Sequence, residues 1–324
     1  MEKKFIILCI TAIVTLTIAF SGCKKSSNDT SGTTAKFKAD TVFKVIAANA
    51  FPNSTNISSI AIDSAGNKIF FFYPNTTEGF KIDLFDISSG STTTIYKHFT
   101  QSGLSSWFTS NGSEGMRLRY FSNTFDGNKL ILPGGSTNLF IVEIKVNPDY
   151  STTFQQIDNI PVNVNGHRVE AAYDADLLNT GTNNLISVVS MFNSVYNLNT
   201  LFPVYPVSPT SHGSSIVGTP GGQEAVFCGY NRSLELYNNG VFIRGVNLVW
   251  DESQLQMDSK KRIYAYNGAI IYRFSSDLLT KEEFPVKGTL SGYRQEAMVI
   301  KETANWVQVY SFYNNDLIGM RLPL

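Results

Sequence analysis

An all-β fold is what this chain of 324 residues predicts, on three observations. From Phe37 onward no stretch carries the 3.6-residue apolar period of an amphipathic helix. Short runs rich in β-branched and aromatic residues recur instead, among them Lys68 to Tyr73, Lys81 to Ile87, Leu139 to Val146, Arg262 to Tyr266 and Trp306 to Tyr313. Turn-forming Gly, Asn, Asp and Pro separate them, as in Ser64-Ala65-Gly66-Asn67 and Asp126-Gly127-Asn128.

The runs also repeat. Ile60-Ala61-Ile62-Asp63 leads through a Gly-Asn turn into Lys68-Ile69-Phe70, and Tyr120-Phe121-Ser122-Asn123 leads through Asp126-Gly127-Asn128 into Lys129-Leu130-Ile131. Leu255-Gln256-Met257-Asp258 leads through Ser259-Lys260-Lys261 into Arg262-Ile263-Tyr264. Weaker copies begin near 171, 216 and 297. A four-stranded propeller blade takes ~40–50 residues, so this spacing predicts a β-propeller of six four-stranded blades. A seventh would have to hide in the long second or third repeat. After Ala297 about three strands remain, and one unassigned strand, Phe43 to Phe51, precedes the first repeat. Placed as the outer strand of the last blade, it would close the ring and remove an exposed edge.

Strand order and Asp-x-x-Gly-Asn turns over residues 37–324 resemble the six- and seven-bladed propellers of the NHL and YVTN type. That resemblance implies an architecture and no activity. A sandwich or jelly roll is the alternative arrangement of the same strands. The run Asn197 to Pro209, rich in Tyr, Phe and Pro, is expected to be a long irregular connection.

The first 36 residues read as an address and a spacer. Lys3 and Lys4 precede sixteen uncharged residues, Phe5 to Phe20, apolar but for three Thr and short of the ~20 needed to span a bilayer. Phe20-Ser21-Gly22-Cys23 then resembles the lipobox of bacterial lipoproteins, with Phe where Leu is usual. The resemblance implies a signal peptide over 1–22 and a lipidated Cys23, with acyl chains holding the protein to a membrane. Lys24, not Asp, follows the cysteine, which in that family implies the outer membrane, on either face. Residues 24–36, mostly Ser, Thr, Asn, Gly and Lys, are expected to form a flexible tether.

With 26 basic and 26 acidic side chains the formal charge is zero, which excludes nucleic-acid binding through a general basic field. Cys9 falls in the signal and Cys23 at the lipobox, so Cys228 stands alone and no disulfide framework exists. In its apolar run it reads as an inert core thiol.

In a propeller the segments leading into the innermost strands open at the channel mouth. In that frame the third repeat has Gly166-His167-Arg168-Val169-Glu170-Ala171, and the sixth Gly292-Tyr293-Arg294-Gln295-Glu296-Ala297. The second has Gly115-Met116-Arg117-Leu118-Arg119, the fifth Trp250-Asp251-Glu252, and the fourth His212-Gly213-Ser214-Ser215. Residues two apart on a strand face the same way, so Arg117 with Arg119, Arg168 with Glu170, and Arg294 with Glu296 are expected to project together. One reading is an anion-tolerant mouth of Arg and Glu rimmed by His167, His212, Trp250 and Tyr293, suited to carboxylates, phosphates, sugars or catechol-like rings. The other is that Arg and Glu of neighbouring inner strands neutralise one another and fill a narrow channel.

There is no G-x-S-x-G elbow, H-E-x-x-H, CxxC pair or Gly-rich phosphate loop. Of three histidines, His98 falls in an expected outer strand. A metal site of His167, His212 and Glu170 is not assigned, because loop histidines are ordinarily solvated. Asp174 and Asp176 could offer calcium oxygens, but Asp at that repeat position is expected to close a turn. No cofactor is expected. The leading reading is a non-catalytic, lipid-anchored binding or scaffold protein of the bacterial envelope. It would take a small anionic, glycan or siderophore-like ligand, or a protein partner such as an outer-membrane transporter, at the channel mouth. The alternatives are a propeller hydrolase or lyase using Glu170, Glu296 or Glu252, and an envelope assembly factor.

Overall fold

The run Lys68-Ile69-Phe70-Phe71-Phe72-Tyr73 lacks the polar alternation of a half-exposed strand, and the structure supplies the reason. Ile69, Phe71 and Tyr73 point to one face, where they pack with Val299, Tyr310, Phe312 and Leu317. Phe70 and Phe72 point to the other and pack with Leu118, Leu130, Leu132 and Val142. Both faces are covered, so every position from Ile69 to Tyr73 is hydrophobic. Full burial of each such side chain contributes ~1.5–3 kcal/mol.

The computed structural model describes residues 37–51, 59–76, 79–97, 117–124, 127–135, 139–160, 163–164, 167–168, 172–180, 183–190, 194–197, 203–206, 213–218, 224–229, 233–238, 241–247, 254–267, 269–287 and 298–324. Phe37–Leu324 forms one compact unit, and among the described residues every regular element is a strand.

The chain opens with β1 (Lys44–Ala47) and then lays down antiparallel sheets in order. The first contains β2 (Ser59–Ile62), β3 (Lys68–Thr76), β4 (Gly79–Asp86) and β5 (Ser91–Lys97). The second contains β6 (Arg119–Thr124), β7 (Gly127–Gly135), β8 (Leu139–Val146) and β9 (Thr152–Ile160). A separate two-stranded hairpin, β10 (Asn163–Val164) with β11 (His167–Arg168), comes next. The third sheet follows: β12 (Ala172–Thr180), β13 (Asn183–Ser190), β14 (Ser194–Asn197) and β15 (Pro203–Pro206). The fourth contains β16 (Gly213–Gly218), β17 (Glu224–Gly229), β18 (Ser233–Asn238) and β19 (Val241–Asn247). The fifth contains β20 (Gln256–Met257), β21 (Ile263–Tyr266), β22 (Ile270–Phe274) and β23 (Lys281–Pro285). The last joins β24 (Val299–Glu302), β25 (Trp306–Tyr313) and β26 (Asp316–Pro323) to β1.

Successive sheets pack face to face. The first meets the second through Phe70, Ile82 and Leu130. On the third sheet β12 lies against β6 and β7 on one side and β16 on the other. The fourth meets the fifth through Leu234, Leu236, Ile263 and Phe274, and the fifth meets the last through Tyr264, Ile271, Val309 and Met320. The last packs on the first around Phe51, Phe71 and Phe312. The architecture is β-propeller-like.

The expected first-strand starts fall at β2, β6, β12, β16, β20 and β24. Two expectations need correction. Within Asn197 to Pro209, the stretch Pro203–Pro206 is an edge strand paired with β14. An outermost strand has one free side, where a proline's missing N–H costs nothing. Asp174 lies inside β12 opposite Val189 and closes no turn; the connection to β13 is at Thr180↔Asn183.

Where Asp does close the turn, its carboxylate replaces missing backbone partners. Asp63 Oδ1 accepts from the N–H groups of Asn67 (2.7 Å) and Lys68 (2.9 Å), while Oδ2 accepts from the Tyr150 hydroxyl (2.7 Å). Gly66 sits at φ +65° in that turn. Asp258 repeats the device, accepting from Lys260 and Arg262 N–H at 3.0 and 2.8 Å, with Lys261 at φ +62°.

Replacing Asp63 by Ala strands three donors around a site only 3% exposed. Urea unfolding of Asp63→Ala is expected to show a loss of ~1–3 kcal/mol, and Tyr150→Phe a smaller one. Equal stability of Asp63→Ala and wild type would refute this account of the turn.

Candidate functional site

First strands of neighbouring sheets converge without sharing a hydrogen-bond ladder, so polar backbone groups at their starts need other partners. Side chains from each sheet in turn supply them. Ser59 Oγ of β2 accepts from Leu118 N–H at 2.8 Å, at the start of β6. Arg119 then reaches across the centre. Its Nε donates to Asp174 Oδ1 at 2.8 Å and its Nη2 to Oδ2 at 2.5 Å. Nη2 also donates to Ser215 Oγ (3.3 Å) and Ile216 O (3.1 Å), and Nη1 to Leu255 O (3.1 Å). One guanidinium of the second sheet therefore touches the third, fourth and fifth.

The remaining links complete the set. Asp174 Oδ2 accepts from Ser215 Oγ (2.6 Å) and Ile216 N–H (3.1 Å), and Ser215 Oγ accepts from Leu255 N–H (2.9 Å). Gln254 donates to Ile60 O of the first sheet at 3.4 Å and accepts from Met298 N–H of the last at 3.2 Å. Ser59, Asp174, Ser215 and Gln254 are fully buried, and Arg119 is 9% exposed.

The chemistry here is structural. The Arg119 fork holds the carboxylate bidentately, a geometry only a planar guanidinium offers. Ser215 Oγ gives its one proton to Asp174 and accepts twice, from Arg119 and Leu255, which fills its inventory and leaves no lone pair for nucleophilic attack.

Two cavities lie along the first strands. One, of about 330 Å³, is lined by Ile60, Arg119, Tyr120, Gln254, Gln256 and neighbours. The other, of about 350 Å³, is lined by Asp63, Gly66, Ser122, Asp258, Lys301, Glu302 and neighbours. Their charged groups also build turns: Glu302 accepts from Ser259 N–H at 2.8 Å and from its hydroxyl at 3.0 Å, and Lys301 Nζ donates to Asn67 Oδ1 at 3.1 Å. Among the described residues no three His, Cys, Asp or Glu side chains group closely enough to hold a metal ion.

Of the residues singled out from the sequence, Arg119 is at the centre of this network and Arg117 is buried two positions earlier. The backbone of His167 and Arg168 is in β11, the two-stranded hairpin ahead of β12, and not in an innermost strand. Glu170, His212, Trp250, Glu252, Tyr293, Arg294, Glu296, His98 and Cys23 lie outside the described residues. The sequence reading did not identify Asp174 as the partner of Arg119. Its local signal, an Asp after a β-run, is identical to that of the turn-closing Asp63 and Asp258. No protein-family model matches the chain, and no curated protein does.

Removing one member of this pair leaves an uncompensated buried charge. Arg119→Met or Asp174→Leu alone is expected to cost ~3–5 kcal/mol in urea unfolding, and the double variant to recover most of it. Additive losses in the double variant would mean the two side chains act independently.

Proposed function

We infer that this chain is a lipid-anchored, non-catalytic binding protein of the bacterial envelope. Its propeller has six blades closed by the N-terminal strand, and its ligand binds where the incoming segments meet. Closure is supported by the pairing of β1 with β26, Lys44 opposite Gly319 and Ala47 opposite Leu317. A clasp adds to it. Asp40 N–H donates to Arg321 O at 2.9 Å, Asp40 Oδ2 accepts from Arg321 N–H at 3.0 Å, and Phe37 stacks on Trp306 at 5.7 Å.

The observation that carries the binding reading is an asymmetry between the two ends of the first strands. Each leaves its first strand for the second through only two to five residues, whereas the segments arriving at the first strands from the preceding sheet run from six to twenty-one. Short turns serve packing, and long connections converging on one spot are where binding residues concentrate. Every proposed ligand residue is on or just beside an arriving segment: Arg117, Arg119, His167, Arg168, Glu170, His212, Trp250, Glu252, Tyr293, Arg294 and Glu296. The central network supports a non-catalytic role, since its buried polar groups hold backbone and one another. Cys23, in its lipobox, is the proposed lipidation site, and the outer membrane the proposed location. A glycan or siderophore-like ligand handed to an outer-membrane transporter is the role proposed.

Thermal shift tests the ligand site, with uronic acid oligosaccharides, sugar phosphates and catechols as probes. At ~100 Kd a ligand adds ~2.7 kcal/mol, so one class is expected to raise the wild-type Tm by several degrees, and Arg168→Ala with Arg294→Ala to abolish the rise. No response of wild type to any probe would remove the support for this site.

A pH measurement tests the clasp. Burial alone would raise the Asp40 pKa, but hydrogen bonds from Arg321 and the charges of Lys44 and Arg321 outweigh it and hold the carboxyl below its ordinary value. A depressed carboxyl contributes stability above its unfolded pKa of ~3.9 and loses it as pH falls through the folded value. Asp40→Asn is therefore expected to lower stability at neutral pH and to flatten the loss below about pH 4. An unchanged acid limb would refute the clasp's contribution.

A further inference from the structure

Among the described residues, the end of the sheets bearing the short turns also bears an apolar rim, contributed by the fourth, fifth and last sheets. Alternation of direction places the turns 258–262 and 275–280 and the start of β19 at that end. Leu279, 67% exposed, is in the turn between β22 and β23; Val241 and Phe242, 62% and 53% exposed, open β19; Leu324 follows β26. Arg244 Nη1 of β19 donates to Asp277 O at 3.3 Å, which sets Leu279 beside the fourth sheet. The first and second sheets carry Ser88-Ser89-Gly90 and Pro148-Asp149 at the corresponding turns. Three further exposed apolar residues, Val42, Val45 and Ile46, are on or next to β1.

The N-terminal segment is rooted at the same end. Phe37 stacks on Trp306, and Asp40 bonds Arg321, where β25 begins and β26 finishes. Thirteen residues, 24–36, separate Cys23 from Phe37. A Ser/Thr/Gly-rich chain of that length has an r.m.s. span of ~20 Å as a random coil, so on the lipid-anchor reading this end of the sheets is the one tethered within that reach of the lipid. Lys38, Lys260 and Lys261 are exposed there, and lysines beside apolar side chains suit the headgroup boundary.

We propose that this rim is a membrane-contact surface: Val241, Phe242, Leu279 and Leu324 settle into the interface of the bilayer that carries the Cys23 lipid, turning the incoming segments away from the membrane. The inference rests on the lipid-anchor reading. Full-length lipidated protein in phosphatidylethanolamine–phosphatidylglycerol vesicles with brominated acyl chains tests both, by flotation and by tryptophan quenching. Wild type is expected to float and Cys23→Ser to stay behind. The indole added by Leu279→Trp, or by Phe242→Trp, is expected to be quenched about twofold or more above that added by Ser89→Trp, as insertion to ~5–10 Å would produce. Flotation with equal quenching at all three positions overturns the contact surface and leaves the anchor standing. Failure of wild type to float overturns the anchor and the inference with it.

Discussion

The contact between Arg119 and Asp174 is the constraint on which the rest of this structure depends. First strands from neighbouring sheets cannot converge unless the buried backbone groups at their starts find partners. Leu118 N–H, Ile216 N–H and O, Leu255 N–H and O, Met298 N–H and Ile60 O find theirs on five side chains. A buried ion pair is weak support for stability in itself, because desolvation offsets the attraction. Here the pair also carries backbone partners on both members, the condition under which a buried network specifies one arrangement.

The covering of both sheet faces explains what the sequence made legible. Leu139 to Val146 and Trp306 to Tyr313 coincide with β8 and β25 because a packed strand is rich in β-branched and aromatic residues and its ends are where Gly, Asn and Asp begin. The spacing of first strands was legible for the same reason. The centre was not. Arg119 and Asp174 are 55 residues apart, and no local pattern distinguishes a carboxylate that reaches a guanidinium from one that folds back on its own turn. The separation of β10 and β11 from the third sheet was equally hidden, because two-residue strands leave no periodicity to read.

Asp63 and Asp258 show how the same residue type fixes the opposite end of a first strand. Each carboxylate gathers N–H groups from residues that follow it, so the chain reverses at once and its second strand starts in register. Such turns leave little room for insertions. Variation is therefore resisted at this end of the sheets, a restraint that follows from hydrogen bonding before any ligand is considered.

The place of the clasp follows from the shortness of β1. Four residues with an irregularity between Val45 and Ala47 give few ladder bonds, and among the described residues no strand pairs with their other edge. A strand so short would fray from its free end, the end nearest Phe37. The reciprocal bonds of Asp40 with Arg321, and Arg321 set over both Phe37 and Trp306 at 5.4 and 5.5 Å, fall at that end. The charge–aromatic cluster thus protects a pairing that backbone bonds alone would leave marginal.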